Sequence, residues 1–172
     1  MEIRKTRPDE LDQVMEIYAR ARAFMARTGN PRQWGPTCWP PRELVADDIA
    51  RGKSMVCVDG GRIAAVFYYD AGLDIEPTYR EMAEGSWMED SPYGVVHRIA
   101  AAEESRGAGQ FCIRWALSRC GHLRIDTHGD NRVMQHVLEK LGFQYRGIIH
   151  VIEDPDPRRA YERILGREES RS

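Results

Sequence analysis

No stretch of this 172-residue chain stays apolar for long. Its longest apolar runs, such as residues 63–69, fall far short of the roughly 18–20 residues that cross a bilayer. Neither sign of charge is in excess. With 25 basic against 27 acidic side chains and a formal charge of −2, the chain lacks the basic footprint of non-specific nucleic-acid binding. The opening Met1-Glu2-Ile3-Arg4-Lys5 lacks the apolar centre of a signal peptide. Cysteine is sparse and unpaired: Cys38, Cys57, Cys112 and Cys120 form no CxxC and no zinc spacing with the histidines. Cys112 and Cys120 fall in one helical stretch, too far along its axis to bridge. The expectation is a cytoplasmic protein with reduced thiols, no metal, no membrane partner and no nucleic acid.

The apolar pattern that is present outlines one domain over residues 1–165, with a polar tail at 166–172. Thr6-Arg7-Pro8-Asp9 reads as a helix start, and Leu11, Val14, Met15, Tyr18 and Met25 then recur at helical spacing. Residues 29–41 form a loop holding Trp34 and Trp39, and a second helix runs from Pro41 to Gly52. Two apolar runs around Asp59-Gly60-Gly61-Arg62 make an antiparallel hairpin. Residues 70–92 show no clean period, although they carry Tyr79 and Trp87. Beyond them strand and helix alternate: strand 95–100, helix 107–120, strand 123–127, helix 131–141, strand 143–151 and a last element at 159–165, strand or short helix. This order predicts an α+β fold, a mixed sheet with helices on both faces.

Glu104-Ser105-Arg106-Gly107-Ala108-Gly109-Gln110 lies where a strand turns into a helix. Glycines there admit close backbone approach, and the first helical N–H groups and the helix dipole favour a phosphate or pyrophosphate, with Arg106 adding charge. Gln110-Phe111 excludes a nucleoside-triphosphate loop, and Cys112 takes the place of the third glycine of a dinucleotide fingerprint. A tight turn that packs a helix on a sheet is the plain alternative.

From Tyr93 to Phe143 the chain resembles the GNAT family of N-acetyltransferases. Their pyrophosphate loop reads Gln/Arg-x-x-Gly-x-Gly/Ala after the fourth strand, and Asn131 followed by Gly142-Phe143 is similar to their next helix ending. The resemblance implies a mostly antiparallel GNAT-like sheet, acetyl-CoA as co-substrate, and direct acetyl transfer to a small-molecule or peptide amine, by a monomer or homodimer. It implies pantetheine contacts at Ile99, Ala100 and Ala101, and pyrophosphate contacts from Arg106 through Gly107, Ala108, Gly109 and Gln110, with Asn131 nearby. Glu104 departs from the family's Gln or Arg, and Leu138 stands where many members carry the tyrosine that protonates the thiolate. A CoA-binding sensor without transferase activity is the competing class.

Within this reading, a backbone N–H near Ile99 would stabilise the oxyanion. His97, two residues earlier and expected on the same strand face, is the first candidate base; a structural hydrogen-bonding role is the alternative. Asp126 and His128 share a face of the neighbouring strand, where one could orient His97 or act through water; Asp126 could equally pair with Arg98 or Arg124. His136, Tyr161 or water could serve as the acid. Asn131 suits an N-cap, a cofactor contact, or both. Trp34, Trp39 and Trp87 would line the acceptor pocket or simply cover the core.

Overall fold

A computed structural model describes residues 1–167; positions 168–172 of the expected tail lie outside the described residues. Eight strands form one sheet in the order β1-β2-β3-β5-β6-β8-β7-β4. These are β1 (Glu2–Lys5), β2 (Ser54–Asp59), β3 (Arg62–Gly72), β4 (Glu84–Gly85), β5 (Tyr93–Ala101), β6 (His122–His128), β7 (Gln144–His150) and β8 (Pro157–Ile164). All neighbouring pairs are antiparallel except β5 and β6. Helices α1 (Leu11–Arg27) and α2 (Arg42–Ala50) cover one face, and α3 (Ala108–Cys120) and α4 (Arg132–Lys140) cover the other.

The helical spacing in α1 buries Val14, Tyr18 and Ala21 against Val56, Val66 and Ala100. On the opposite face Cys112, Ile113, Ala116 and Leu117 of α3, with Leu138 of α4, pack on Phe67, Val96, Leu123 and Ile125. Gly107 (φ +82°) and Gly121 (φ +72°) bound α3 in left-handed backbone that suits glycine.

The N-terminus departs from expectation. Residues 2–5 are an edge strand on β2, and Thr6 is buried with its hydroxyl 2.8 Å from that of Ser54, so it caps no helix. A short 3₁₀ turn at Pro8–Glu10 leads into α1 instead, and Glu10 accepts the Arg7 amide at 2.8 Å and the Arg4 guanidinium at 2.6 and 2.9 Å. The last element is a strand, not a helix.

Glu162 of β8, fully buried, sits directly across from Arg124 of β6. It accepts from His122 at 2.6 Å, from Arg124 at 3.0 Å and from the Met88 amide at 2.6 Å. Burial works to raise its carboxyl, but these hydrogen bonds prevail and hold it below the usual range. Arg124 also lies over the rings of Tyr93 (4.1 Å) and Trp87 (4.4 Å). Trp87 therefore closes the outer face of β6 and does not reach the tryptophans of the 29–41 loop. Glu162→Ala would leave a buried arginine and histidine without their acceptor, so urea denaturation should show a loss of about 3–5 kcal/mol. Glu162→Gln, which keeps part of the network, should lose less.

Candidate active site

The parallel pairing of β5 and β6 lasts for two residue pairs, Gly94 with Leu123 and Val95 with Arg124. Beyond them the strands part, and the β6-facing edge of residues 96–101 has no strand partner. A bulge in β5 lies beside the gap. Tyr68 pairs with His97 and Val66 with Ala100, so one residue of β3, Phe67, faces two of β5, Arg98 and Ile99. Arg98 takes up the extra residue at φ +50°, a sparsely populated conformation for a non-glycine residue. Its guanidinium is anchored on Asp48 of α2 at 2.7 and 3.2 Å and lies 4.6 Å over the Tyr68 ring.

The bulge overturns the simple alternation expected for β5. Ile99 packs toward α3 and α4, whereas His97 packs beside Tyr68 and Tyr79 on the opposite face, with ring centroids 5.8 and 5.9 Å away.

Two cavities meet at the gap. A groove of about 480 Å³ runs from Arg106, Gly107, Gly109 and Gln110 along residues 99–102. A second cavity of about 240 Å³ is lined by Trp34, Trp39, Glu76, His97, Asp126 and Arg158, among others. Met25, Ile99, Asn131 and Met134 line both. Trp34 and Trp39 thus flank the second cavity, and Trp87 does not.

The groove fits an extended phosphate-bearing ligand. Among the described residues no backbone carbonyl takes the amides of Gly109 and Gln110, leaving the helix N-terminal donors for an anion. A Cβ added at Gly107 or Gly109 would meet open space. Ala108 is fully buried in the core, with its amide 3.2 Å from the Ser105 carbonyl, so it shapes the turn from beneath. Glu104 points away, into a depression with Arg4, Glu10 and Arg62. Glu103 borders the groove and is held by Arg27 at 2.6 Å. Asn131 caps α4 by accepting the Met134 amide at 3.1 Å and also donates to Gln33 at 2.9 Å, while still facing both cavities.

The second cavity brings His97 and Asp126 together with a residue that the sequence reading missed. Glu76, just ahead of the 3₁₀ turn Pro77–Tyr79, is 2.8 Å from His97 Nε2. Asp126 lies 3.7 Å from His97 Nδ1 and accepts the Tyr79 hydroxyl at 2.6 Å, not Arg98 or Arg124. Burial acts to raise the Glu76 carboxyl, but hydrogen bonds from His97 and from the Thr78 hydroxyl and amide bring it down to about 2. Burial, with Asp126 beside it, holds the Tyr79 phenol well above its usual range.

His128 is not part of this group. Its Nε2 is 2.8 Å from Asp156, its Nδ1 accepts the Asp130 amide at 3.0 Å, and it shapes the turn after β6. Neither His136, which is exposed, nor Tyr161, which is fully buried in the core, lines either cavity.

A mixed sheet whose central parallel strands part beside a glycine-opened helix N-terminus leaves a cleft in which the groove and the second cavity meet. Solved structures show the same architecture. An acetyltransferase of the GNAT family from Streptococcus agalactiae 2603 is 33% identical, with 96% of each chain covered and a TM-score of 0.86. A GNAT-family acetyltransferase from Listeria monocytogenes 4b F2365 shares the fold at 14% identity, with 95% of this chain and 94% of that one covered and a TM-score of 0.67. A ribosomal-protein-alanine N-acetyltransferase from Brucella melitensis does so at 14% identity, with 96% and 100% covered and a TM-score of 0.62. A scan against protein-family models and a search of curated proteins each find no match. The chain belongs to the GNAT family of acetyltransferases.

The Glu76 carboxyl gives the site a stability signature. Its pKa is lower in the folded protein (about 2) than the ordinary 4.5 of the unfolded chain. Its stabilising effect is therefore complete above the unfolded value and is lost as pH falls toward 2. The stability gap between the wild type and Glu76→Gln, measured by urea denaturation, should be constant near pH 6 and shrink between about pH 4.5 and 2.5.

Proposed function

We propose that the protein transfers an acetyl group from acetyl-CoA to the amine of a small molecule or peptide. The observation that carries this reading is the junction at Ile99, where a groove with free helix N-terminal amides opens into a cavity holding His97, Glu76 and Asp126. The amides of Gly109 and Gln110, with Arg106, would hold the pyrophosphate, and the unpaired edge of Ile99, Ala100 and Ala101 would hold the pantetheine. Family membership supports the assignment of acetyl-CoA as donor.

Acetyl-CoA would supply a thioester: the neutral amine nitrogen bonds to its carbonyl carbon and gives up one N–H proton, the C–S bond breaks, and the sulfur leaves with the electron pair and takes up a proton, so that an amide and a thiol result. This chain's residues have three tasks. The bulge leaves Arg98 and Ile99 without partners on β3, so a main-chain N–H there can meet the developing oxyanion. His97, in the cavity beside Ile99, removes the ammonium proton as general base. Glu76 and Asp126 flank the ring, at 2.8 Å from Nε2 and 3.7 Å from Nδ1, and orient it.

His97→Ala should lower turnover about 10²-fold while CoA affinity is kept, and His97→Asn, which cannot accept a proton at neutral pH, should lose as much. Thiol release across pH 6–9 reads both. Normal turnover in both variants would remove His97 as the base and leave transfer to amines that are already neutral. Gly109→Val should fold, since its side chain projects into open space, and should lose CoA binding in calorimetry by filling the pyrophosphate position. CoA binding with no thiol release against any amine would favour the sensor; no binding to the unmodified protein at millimolar CoA would sink both readings.

A further inference from the structure

The acceptor cavity has an anionic end and a cationic end. Glu76, Asp126 and His97 make the first. The second is Arg158 of β8, which lines the same cavity and lies on the sheet face of Asp126: Asp126 pairs with Ala160, and His128 with Arg158. Arg158 is 3% exposed, and its Nε–H has no hydrogen-bond partner. One Nη donates to Asp154, on the segment between β7 and β8 whose Ile152 and Glu153 also border the cavity.

The contrast with Arg124, one strand away, is informative. Both are buried arginines, but Arg124 donates through Nε to Glu162 and through Nη2 to the Glu89 carbonyl. A buried donor left unmade costs about 1–3 kcal/mol, so structural arginines are completed as Arg124 is. The Arg158 guanidinium, which lines the cavity and donates through one Nη to Asp154, suits a ligand anion, and planar carboxylates match it best.

Resting on the acetyl-transfer reading, we propose that the acceptor is a small zwitterionic amine of amino-acid type. Its carboxylate is held by Arg158, and its amine is delivered to His97 between Glu76 and Asp126. Asp154 holds the guanidinium until the carboxylate arrives. The cavity's 240 Å³ is at the small end for ligand pockets, and Trp34, Trp39 and Leu44 give it an apolar wall for the side chain.

The test compares matched acceptors with acetyl-CoA by thiol release: L-phenylalanine against phenethylamine, L-leucine against isopentylamine, and putrescine as a dication. The amino acids should be preferred about tenfold or more in kcat/KM. In Arg158→Gln and Arg158→Lys that ratio should collapse toward one. Asp154→Asn, which keeps the arginine and frees it, should lower KM for the amino acids several-fold; an unchanged or raised KM counts against the proposal. Preference for the bare amines or putrescine overturns it while acetyl transfer stands. If no acceptor releases thiol, titration of tryptophan fluorescence with L-phenylalanine in the presence of CoA decides. Arg158-dependent binding upholds the carboxylate site and sinks the transfer reading, and no binding sinks the site as well.

Discussion

The site depends on one constraint: two parallel strands that cannot stay paired. After two residue pairs β5 and β6 separate, and the bulge at Arg98 lies in the part of β5 that has left the ladder. A non-glycine residue with positive φ costs of order 1–3 kcal/mol and persists only where its surroundings over-determine it. Here Asp48 and the Tyr68 ring do so, and both belong to elements that pack independently of the gap. The opening is therefore part of the folded ground state. A ligand entering it need not break strand pairing, which keeps the ordering cost of binding low.

Buried charge is treated in two ways in the same sheet. Around Glu162 every partner is supplied by the protein: His122, Arg124 and the Met88 amide fill the carboxylate, and two aromatic rings cover the arginine. That cluster fixes the register of β6 against β8 and carries the loop ahead of β5. At the cavity beside the gap His97, Asp126 and Arg158 stand on strands and Glu76 just ahead of a 3₁₀ turn, and the Nε of Arg158 is left without a partner among the described residues. The difference follows from position along the strands. The complete network lies where β5 and β6 still pair, and the incomplete ones lie where they part.

Much of this was legible in the sequence, for identifiable reasons. The apolar spacing of α1 and the glycine-bounded α3 announce themselves because their periods and caps are local. His97 and Asp126 could be named together because the parallel strand order brings them side by side. Glu76 could not: it lies in residues 70–92, where no period exists, and it reaches His97 only through a 3₁₀ turn. β1 was hidden because Ile3 is its lone apolar residue, and an edge strand needs no alternation to hydrogen-bond. The bulge was unreadable because nothing in Arg98 signals positive φ. That one residue reverses the expected face of Ile99. Arg158 was hidden among the charges of a strand whose polar pattern could also have made a helix.

The missing tyrosine of α4 is answered by chemistry as much as by structure. Leu138 is fully buried among Leu141, Phe143 and the sheet, and no hydroxyl from α4 lines the groove. The two proton transfers of an acetyl transfer are not equally demanding. A thiol has an ordinary pKa of about 8.5, so its thiolate is a tolerable leaving group near neutrality and can take its proton from water. An aliphatic ammonium, with an ordinary pKa of about 10.4, is almost wholly protonated there and cannot attack until it loses that proton. The base therefore matters more to the rate than the acid. On the proposed reading the residues at the junction follow that asymmetry: a histidine braced by two carboxylates on the side assigned to the amine, and the apolar Met134 and Val137 of α4 along the groove. With a thioester bound as proposed, an apolar wall there would also limit water near it and favour the amine over hydrolysis.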